Sequence, residues 1–238
     1  MGAQTTDRSN LEGAFGVRIS RDSLSSQAYL AIRNSLKRSK FLPGHKLIAR
    51  QIADELGISV TPVRESLLRL VSENALAMDE RGTVIVPRMS IGRCKDIRDM
   101  RMLVEGEAAA RAACRATEAD IAELNRIHTE YLASEKAQNY SEALARNEEF
   151  HFGLCHLAGS STLFAVVENL WIQFGPVLPY LYLDGERPFH GETHAHLVVM
   201  GALARGDADG ARAAIARDIL IGGGTIIDRL GGSSDSHD

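Results

Sequence analysis

Arg50-Gln51-Ile52-Ala53-Asp54-Glu55-Leu56-Gly57-Ile58-Ser59-Val60-Thr61-Pro62-Val63-Arg64-Glu65 reads as two short helices meeting at a tight turn. Ile52, Ala53 and Leu56 share one face of the first, and Ala53 is small where a second helix must cross closely. Gly57 supplies the turn, because glycine visits positive φ without a steric penalty. Ser59 is placed to offer its hydroxyl to the free N–H groups of the next helix. Pro62 falls in that helix's first turn, where no intrahelical donor is needed. Val63, Leu67 and Leu70 form its buried stripe, which leaves Thr61, Arg64 and Arg69 outward. Such a helix-turn-helix can enter a DNA major groove by the N-terminus of its second helix.

The flanks extend the unit. Ala75-Leu76-Ala77-Met78 and the β-branched Thr83-Val84-Ile85-Val86 are strand-prone, with Asp79-Glu80-Arg81-Gly82 as the turn between them. A hairpin directly after a recognition helix is a wing, and its Arg81-Gly82 tip can approach the DNA backbone or minor groove. Upstream, Gln27 to Lys40 is expected to be helical with Tyr29, Ile32 and Leu36 on one side, closed by Leu42-Pro43-Gly44. Three helices and a β-hairpin wing make a complete small domain over residues 22–90.

Pro43-Gly44-His45-Lys46-Leu47, Arg50 through Leu56, and Ser59 through Leu67 together resemble the N-terminal signature of GntR-type bacterial repressors. The resemblance spans about 65 residues, and the turn and wing agree with it. It implies DNA contacts from Arg50, Thr61 and Arg64, with Ser59 near the backbone and Arg81-Gly82 at the wing tip. Val60 and Pro62 stand in the same helix start. Many members carry Arg where this chain has Val60, and that Arg commonly reads a guanine. Val60 offers only an apolar contact to a thymine methyl. The binding mode therefore transfers more readily than the operator sequence.

Charge divides the chain the same way. Up to Ser90 there are 13 Lys+Arg against 9 Asp+Glu, and beyond it 14 against 22, a contrast hidden by the overall net charge of −4. The basic part suits phosphate and the acidic part does not. A weakly basic module binds modestly alone, so a homodimer on two half-sites of a palindromic double-stranded operator is expected. Cys94, Cys114 and Cys155 are odd in number and lack Cys-x-x-Cys spacing, which fits reduced thiols in the cytoplasm. No stretch approaches the roughly 20 apolar residues of a membrane span, and the polar start is not a signal peptide. Residues 1–21 and 231–238 are polar and Gly-containing tails, expected to fray.

Between them, 91–230 reads as an antiparallel all-α bundle of six to seven helices, so the fold class is mainly α. Ile97, Met100, Leu103, Val104 and Ala108 recur at helical spacing in a first helix from Ile91. Thr117 and Asp120 suit a capped start for the next, which runs to about Glu135. Further helices are expected over Ser141–Leu157, Ser161 to about Leu183 with a break at Pro176 and Pro179, Glu192–Ala204, and Ala208 to about Leu230. Gly222-Gly223-Gly224 inside the last is costly for a helix, about 1 kcal/mol per Gly relative to Ala.

Ile97 through Glu105, Asn147-Glu148-Glu149-Phe150-His151, His196, Gly206-Asp207 and Asp218 resemble the FCD ligand-sensing domain of the FadR subfamily. Asn147 and His151 are four apart and project from one helix face. His196 and Asp218 stand on the last two helices. Two imidazoles, a carboxylate and an amide oxygen could converge as an N/O metal site, with zinc, nickel or manganese all suitable. The resemblance supplies most of this, since the spacing equally suits hydrogen-bonded core histidines. The matching positions in the family are Asp, His, His and His, so Asn147 and Asp218 are departures that leave the ligand charge unchanged. His194 is expected to face away from His196, and His128, His156 and His190 have no arguable partner.

Arg101 follows Met100 and precedes Leu103 and Val104, with Glu105 four residues on. It is either a surface ion pair or a guanidinium that grips an effector carboxylate bidentately. By resemblance, a small organic acid sits between the metal and such an Arg. If Arg101 is only a surface ion pair, the carboxylate partner expected instead is Tyr180 or Tyr182, whose ring can line the pocket and whose hydroxyl can donate. The expected function is a metabolite-responsive transcriptional regulator, a repressor, and not an enzyme. The alternative is a metal-dependent enzyme carrying a DNA-binding head.

Overall fold

The computed structural model describes residues 24–183 and 194–232. Ala28, Tyr29, Ile32 and Leu36 recur at helical spacing, and all are buried on one face of α1 (Leu24–Lys37). The helix starts and ends three residues earlier than its pattern suggests. Ser39 in the left-handed conformation (φ 56°) closes it before Lys40.

Gly57, at φ +66°, joins α2 (Ala49–Leu56) to α3 (Val60–Ser72). Ala53, Val63, Leu67 and Leu70 are buried with the α1 stripe in one cluster. Two details differ from the sequence reading. Ser59 has the extended N-cap backbone, but its side chain makes no capping bond and stays exposed. Leu56 is exposed too, because α2 is only two turns long and its last turn points off the core.

The wing is shorter than its strand-prone runs. β1 (Ala77–Met78) and β2 (Val84–Ile85) pair antiparallel, with Ala77 opposite Ile85 and Met78 opposite Val84. The other edge of β2 is taken by the segment after α1: Gly44 N–H donates to Val86 O and Leu47 N–H to Val84 O, both at 2.8 Å. Asp79 Oδ1 accepts the Arg81 and Thr83 amides at 3.0 and 2.8 Å, which braces the turn beneath Gly82 (φ +75°).

The bundle comprises α4 (Ile91–Ala113), α5 (Glu118–Lys136), α6 (Tyr140–Leu157), α7 (Ser161–Phe174), a 3-10 segment (Gly175–Tyr182), α8 (Ala195–Ala204) and α9 (Ala208–Gly232). Thr117 and Asp120 form a reciprocal capping box at the start of α5. Pro176 and Pro179 turn the expected end of α7 into the 3-10 segment. The expected start of α8 at Glu192 and most of both tails lie outside the described residues, while α9 runs on through Gly231 and Gly232. α4 lies along α9, α5 packs on α6, and α8 packs on α9.

Two apolar clusters fill the bundle, one centred on Trp171, Phe174 and Ile226, the other on Phe150, Leu154 and Ile215. Between them runs a buried polar layer of Arg101, Glu105, His128, His151, His196 and Asp218. This layer corrects the periodicity expected of α4. Met100 and Leu103 are 47% and 67% exposed, while Arg101 and Glu105 occupy the inward stripe with Cys94, Ile97 and Ala108. Counting apolar residues alone phases the helix wrongly, because two of its core positions carry charge.

The head sits directly on the bundle. Ile172 of α7 belongs to the winged-helix core. Lys37 Nζ reaches Glu168 at 3.0 Å, and Ser39 Oγ donates to Gly175 O at 2.7 Å. A Cβ on Gly175 would lie 2.3 Å from Leu36 O, so only glycine permits this approach.

Candidate functional site

Two surfaces carry chemistry. On the head, Arg50, Ser59, Thr61, Arg64, Arg81 and Gly82 are exposed, and Val60 and Pro62 are half-buried. Arg64 and Gly82 line one groove of about 400 Å³ between α3 and the wing, with Leu68, Met78 and Thr83. The recognition helix and wing tip thus face a common space, while the acidic Asp54 and Glu55 stand on α2.

The second surface is internal. Glu105 is its hub: Oε1 accepts Arg101 Nε at 2.6 Å and Trp171 Nε1 at 3.0 Å, and Oε2 lies 2.6 Å from His151 Nδ1. The guanidinium of Arg101 lies 4.1 Å over the Trp171 ring. On its other side, His151 Nε2 lies 3.2 Å from Asp218 Oδ2. His196 completes a group with His151 and Asp218 whose ligand atoms all fall within 4.8 Å of one another. Phe150 stacks flat on His196 with ring centroids 3.8 Å apart, fixing its plane.

The electrostatics follow from burial and these partners. Desolvation pushes Glu105 upward, but the Arg101 charge and then His151 outweigh it and hold the carboxyl at about 2. Asp218 is likewise held at about 2 despite its burial, chiefly by the His151 hydrogen bond. Burial alone lowers His151, yet Glu105 and Asp218 together raise it above the usual imidazole value. Desolvation drives His196 well down, and His128 down to about 4, keeping both neutral.

The donor set fits a divalent ion. His196 Nε2 and Asp218 Oδ1 are buried without a hydrogen-bond partner among the described residues, a costly state that ligation would relieve. Two atoms bound tetrahedrally to one ion at about 2.1 Å stand roughly 3.4 Å apart, close to the His151–Asp218 separation. Glu105 can accept Nδ1–H of His151, leaving Nε2 as the ligand atom, the usual outer-shell arrangement for a metal-bound imidazole.

Asn147 and His151 line a cavity of about 30 Å³, together with Arg101, Tyr131, Tyr182 and Asp218. Gly222 and Gly223 form part of its wall, and a Cβ on Gly223 would lie 2.7 Å from Arg98 Cγ. Gly223 of the triplet therefore permits close α4–α9 packing beside the cavity, whereas a Cβ on Gly224 would meet nothing within 4 Å. Tyr180 is not among the lining residues; its carbonyl accepts Arg229 Nη1 at 2.7 Å. Arg101 is both a wall residue and an ion-pair partner, but the pair is buried rather than on the surface.

Some members of this site had no sequence signal. His128 is buried with Nδ1 3.3 Å from His196 Nδ1, a contact between helices far apart in sequence. His194 is half-buried, not turned away: its Nδ1 accepts the His196 amide and caps α8. Tyr131 donates to Glu135 at 2.7 Å, four residues along α5, a spacing that could have been read. His156 is exposed and stacks on Phe164, and His190 lies outside the described residues.

Comparison with known proteins agrees with this architecture. Residues 24–86 match the gntR family of bacterial regulatory proteins, and residues 96–220 match the FCD domain. The chain belongs to the GntR family. It is a transcriptional regulator with a DNA-binding winged helix and an FCD domain, of FadR-like organisation. It is 31% identical to the HTH-type transcriptional regulator McbR of Escherichia coli (strain K12), over 82% of this chain and 88% of that one. It is 23% identical to the HTH-type transcriptional repressor RspR of the same strain, over 82% and 86%. The solved structure of E. coli McbR/YncC superposes with a TM-score of 0.78 at 29% identity, covering 90% of this chain and 99% of that one. Among the described residues no helix is long and apolar enough to cross a membrane.

Proposed function

We propose that this regulator is a homodimeric, cytoplasmic repressor released or engaged by a small carboxylate held in the bundle beside a divalent metal. The observation that carries this is a buried constellation: the guanidinium of Arg101, the amide of Asn147, His151 and Asp218 line one cavity, and His196 completes with the last two a donor group that has two unpartnered atoms. A neutral core would not retain so many charges, since each costs several kcal/mol to desolvate unless paired. His151, His196 and Asp218 would hold the ion, with Asn147 as the fourth donor. The bound ion would supply a Lewis-acidic charge that attracts a carboxylate. Arg101 orients that carboxylate, and Trp171 and Phe174 exclude water around it.

On DNA, Thr61 and Arg64 would read base edges, Arg50 and Ser59 would meet phosphates, and Arg81 and Gly82 would approach the backbone beside the groove. Exposed Met100 and Leu103 on α4 favour self-association of the bundle, which sets the half-site spacing of the paired heads. Effector binding then shifts the population of head arrangements.

The test is elemental analysis of the purified protein, then thermal shift and DNA mobility with small carboxylates, with and without chelator. About one ion per chain, lost in His151→Ala and His196→Ala, and acid-dependent DNA release support the reading. A protein that takes up no ion on titration, and whose DNA complex no acid alters, refutes it.

A further inference from the structure

His196 belongs to a second group of donors as well. His128 of α5, His194 at the cap of α8 and His196 in that helix's first turn each bring one nitrogen within 4.8 Å of the other two. The packing of α5 on α8 joins positions far apart in sequence. Nδ1 of His128 stands 3.3 Å from Nδ1 of His196, and the three ring centroids are 4.4 to 5.2 Å apart. Tyr131 packs against all three rings, its centroid 5.2 to 6.1 Å from theirs. His128 and His196 are buried and His194 is half-buried.

A hydrogen bond between the two Nδ1 atoms uses one nitrogen of each ring. It leaves Nε2 of His128 and of His196 buried without a partner among the described residues, and it gives no reason for a third imidazole at the same point. A shared ion gives that reason. Two nitrogens bound tetrahedrally to one ion at about 2.1 Å stand roughly 3.4 Å apart, close to the observed spacing. The carboxylates of Glu135 and Asp218 both act on His128 through the core, an attraction that a cation shares. The trio is nevertheless the weaker group. It has no carboxylate ligand, and His194 Nδ1 already accepts the His196 amide at 3.1 Å. A neutral ring has one lone pair, so His194 ligates through either nitrogen only by giving up that cap bond.

We propose that His128, His194 and His196 form a second divalent-cation site, all imidazole, which competes with the His151–Asp218 group for His196. The single lone pair of a neutral His196 serves one ion at a time. The carboxylate-bearing group holds the ion that survives purification. The trio takes one up when the ion is supplied in excess or the other group is disabled. A shell of imidazoles suits zinc, nickel or copper(II), whereas manganese prefers oxygen ligands. This goes beyond the effector reading, because its donors stand whether or not a carboxylate binds beside Arg101.

The experiment is titration of the full-length, chelator-stripped protein with cobalt(II), followed by its visible absorption bands. His151→Ala should still take up about one cobalt per chain, at least about tenfold more weakly than the unaltered protein. Adding His128→Phe to that variant should weaken uptake by a further factor of about ten or more. Asp218→Asn should behave as His151→Ala does, and it serves if His151→Ala does not fold. His128→Phe alone should keep the tightly held ion. Folded His151→Ala and Asp218→Asn proteins that take up no cobalt, or whose cobalt is indifferent to His128→Phe, would overturn the proposal and leave the metal of the effector site standing. Two ions held equally tightly by the unaltered protein would overturn the competition for His196. An ion lost in His128→Phe but kept in His151→Ala would support the trio and count against the His151–Asp218 group instead.

Discussion

Arg101→Ala tests the hub of the site directly. The side chains of Arg101 and Glu105 are 5% and 2% exposed and meet at 2.6 Å. Removing one partner of a buried pair leaves an uncompensated charge and costs about 3–5 kcal/mol. The lost guanidinium also gives up its place over Trp171, worth up to about 2 kcal/mol when desolvated. His151 offsets part of this, because a proton on it balances Glu105 across their 2.6 Å contact. A net loss of about 3–5 kcal/mol lowers the unfolding midpoint by roughly 6–20 °C for a bundle of this size. The pH dependence has a definite sign. In the native protein Glu105 is held at about 2, below its ordinary 4.5, so its contribution is complete above 4.5 and is lost as pH falls toward 2. Without Arg101, burial dominates and raises the carboxyl, so the variant regains ground as acid neutralises it. Urea unfolding followed by circular dichroism at neutral and acid pH should show a gap that is widest near pH 7 and narrows toward pH 3. A gap below about 1 kcal/mol at pH 7, or one independent of pH, refutes the buried-pair argument. The same result warns that lost effector response in Arg101→Ala has to be checked against Arg101→Lys, which keeps the charge.

Arg64→Ala should weaken binding to a specific palindromic site by about 1–3 kcal/mol in a mobility assay, with a smaller effect on random DNA; unchanged specific affinity at low and high salt removes Arg64 from the reading set. In the metal-free protein, burial holds His128 at about 4 against an ordinary 6.5, so the stability from burying it neutral is present above 6.5 and lost as pH falls toward 4. His128→Phe should therefore flatten the fall in unfolding free energy between pH 7 and 5, by up to roughly 2 kcal/mol, a difference measurement needed because His151 contributes with the opposite sign. Gly175→Ala should strain the head–bundle joint by about 1–3 kcal/mol and expose α1 to amide exchange, since its Cβ meets the Leu36 carbonyl; identical exchange in α1 would show the joint to be compliant.

The fold was legible because its signals are local. The Gly57 turn, the Thr117–Asp120 box and the prolines after Phe174 each act within a few residues, and each stands where its chemistry requires. The ligand helices were legible in part: Asn147 and His151 share a face by spacing alone, and both line the cavity. What escaped was decided across helices. Nothing near His128 in sequence announces His196, and Glu135 reads as one more surface acid until Tyr182 arrives from the 3-10 segment. Arg101 and Glu105 escaped for another reason. Hydrophobic periodicity assigns charged residues outward, and here the two charges satisfy each other, Trp171 and His151 inside.

That same interior pair gives the proposed effector site a packed route to the winged-helix head. Trp171 donates to Glu105 in the polar layer, and the next residue, Ile172, is fully buried in the winged-helix core. Phe174 and Leu178 line the cavity, and Gly175 between them is pressed against the end of α1. Close-packed interiors transmit displacement rather than absorb it. A ligand that draws Arg101 from Glu105 changes what Trp171 leans on, and a helix cannot shift Trp171 while leaving Ile172 in place. The ion pairs of Arg33 and Lys37 with Glu168, one turn earlier on α7, tie α1 to the same movement. The short connection from site to head is therefore α7 and its 3-10 continuation, a single rigid element with one face in each core.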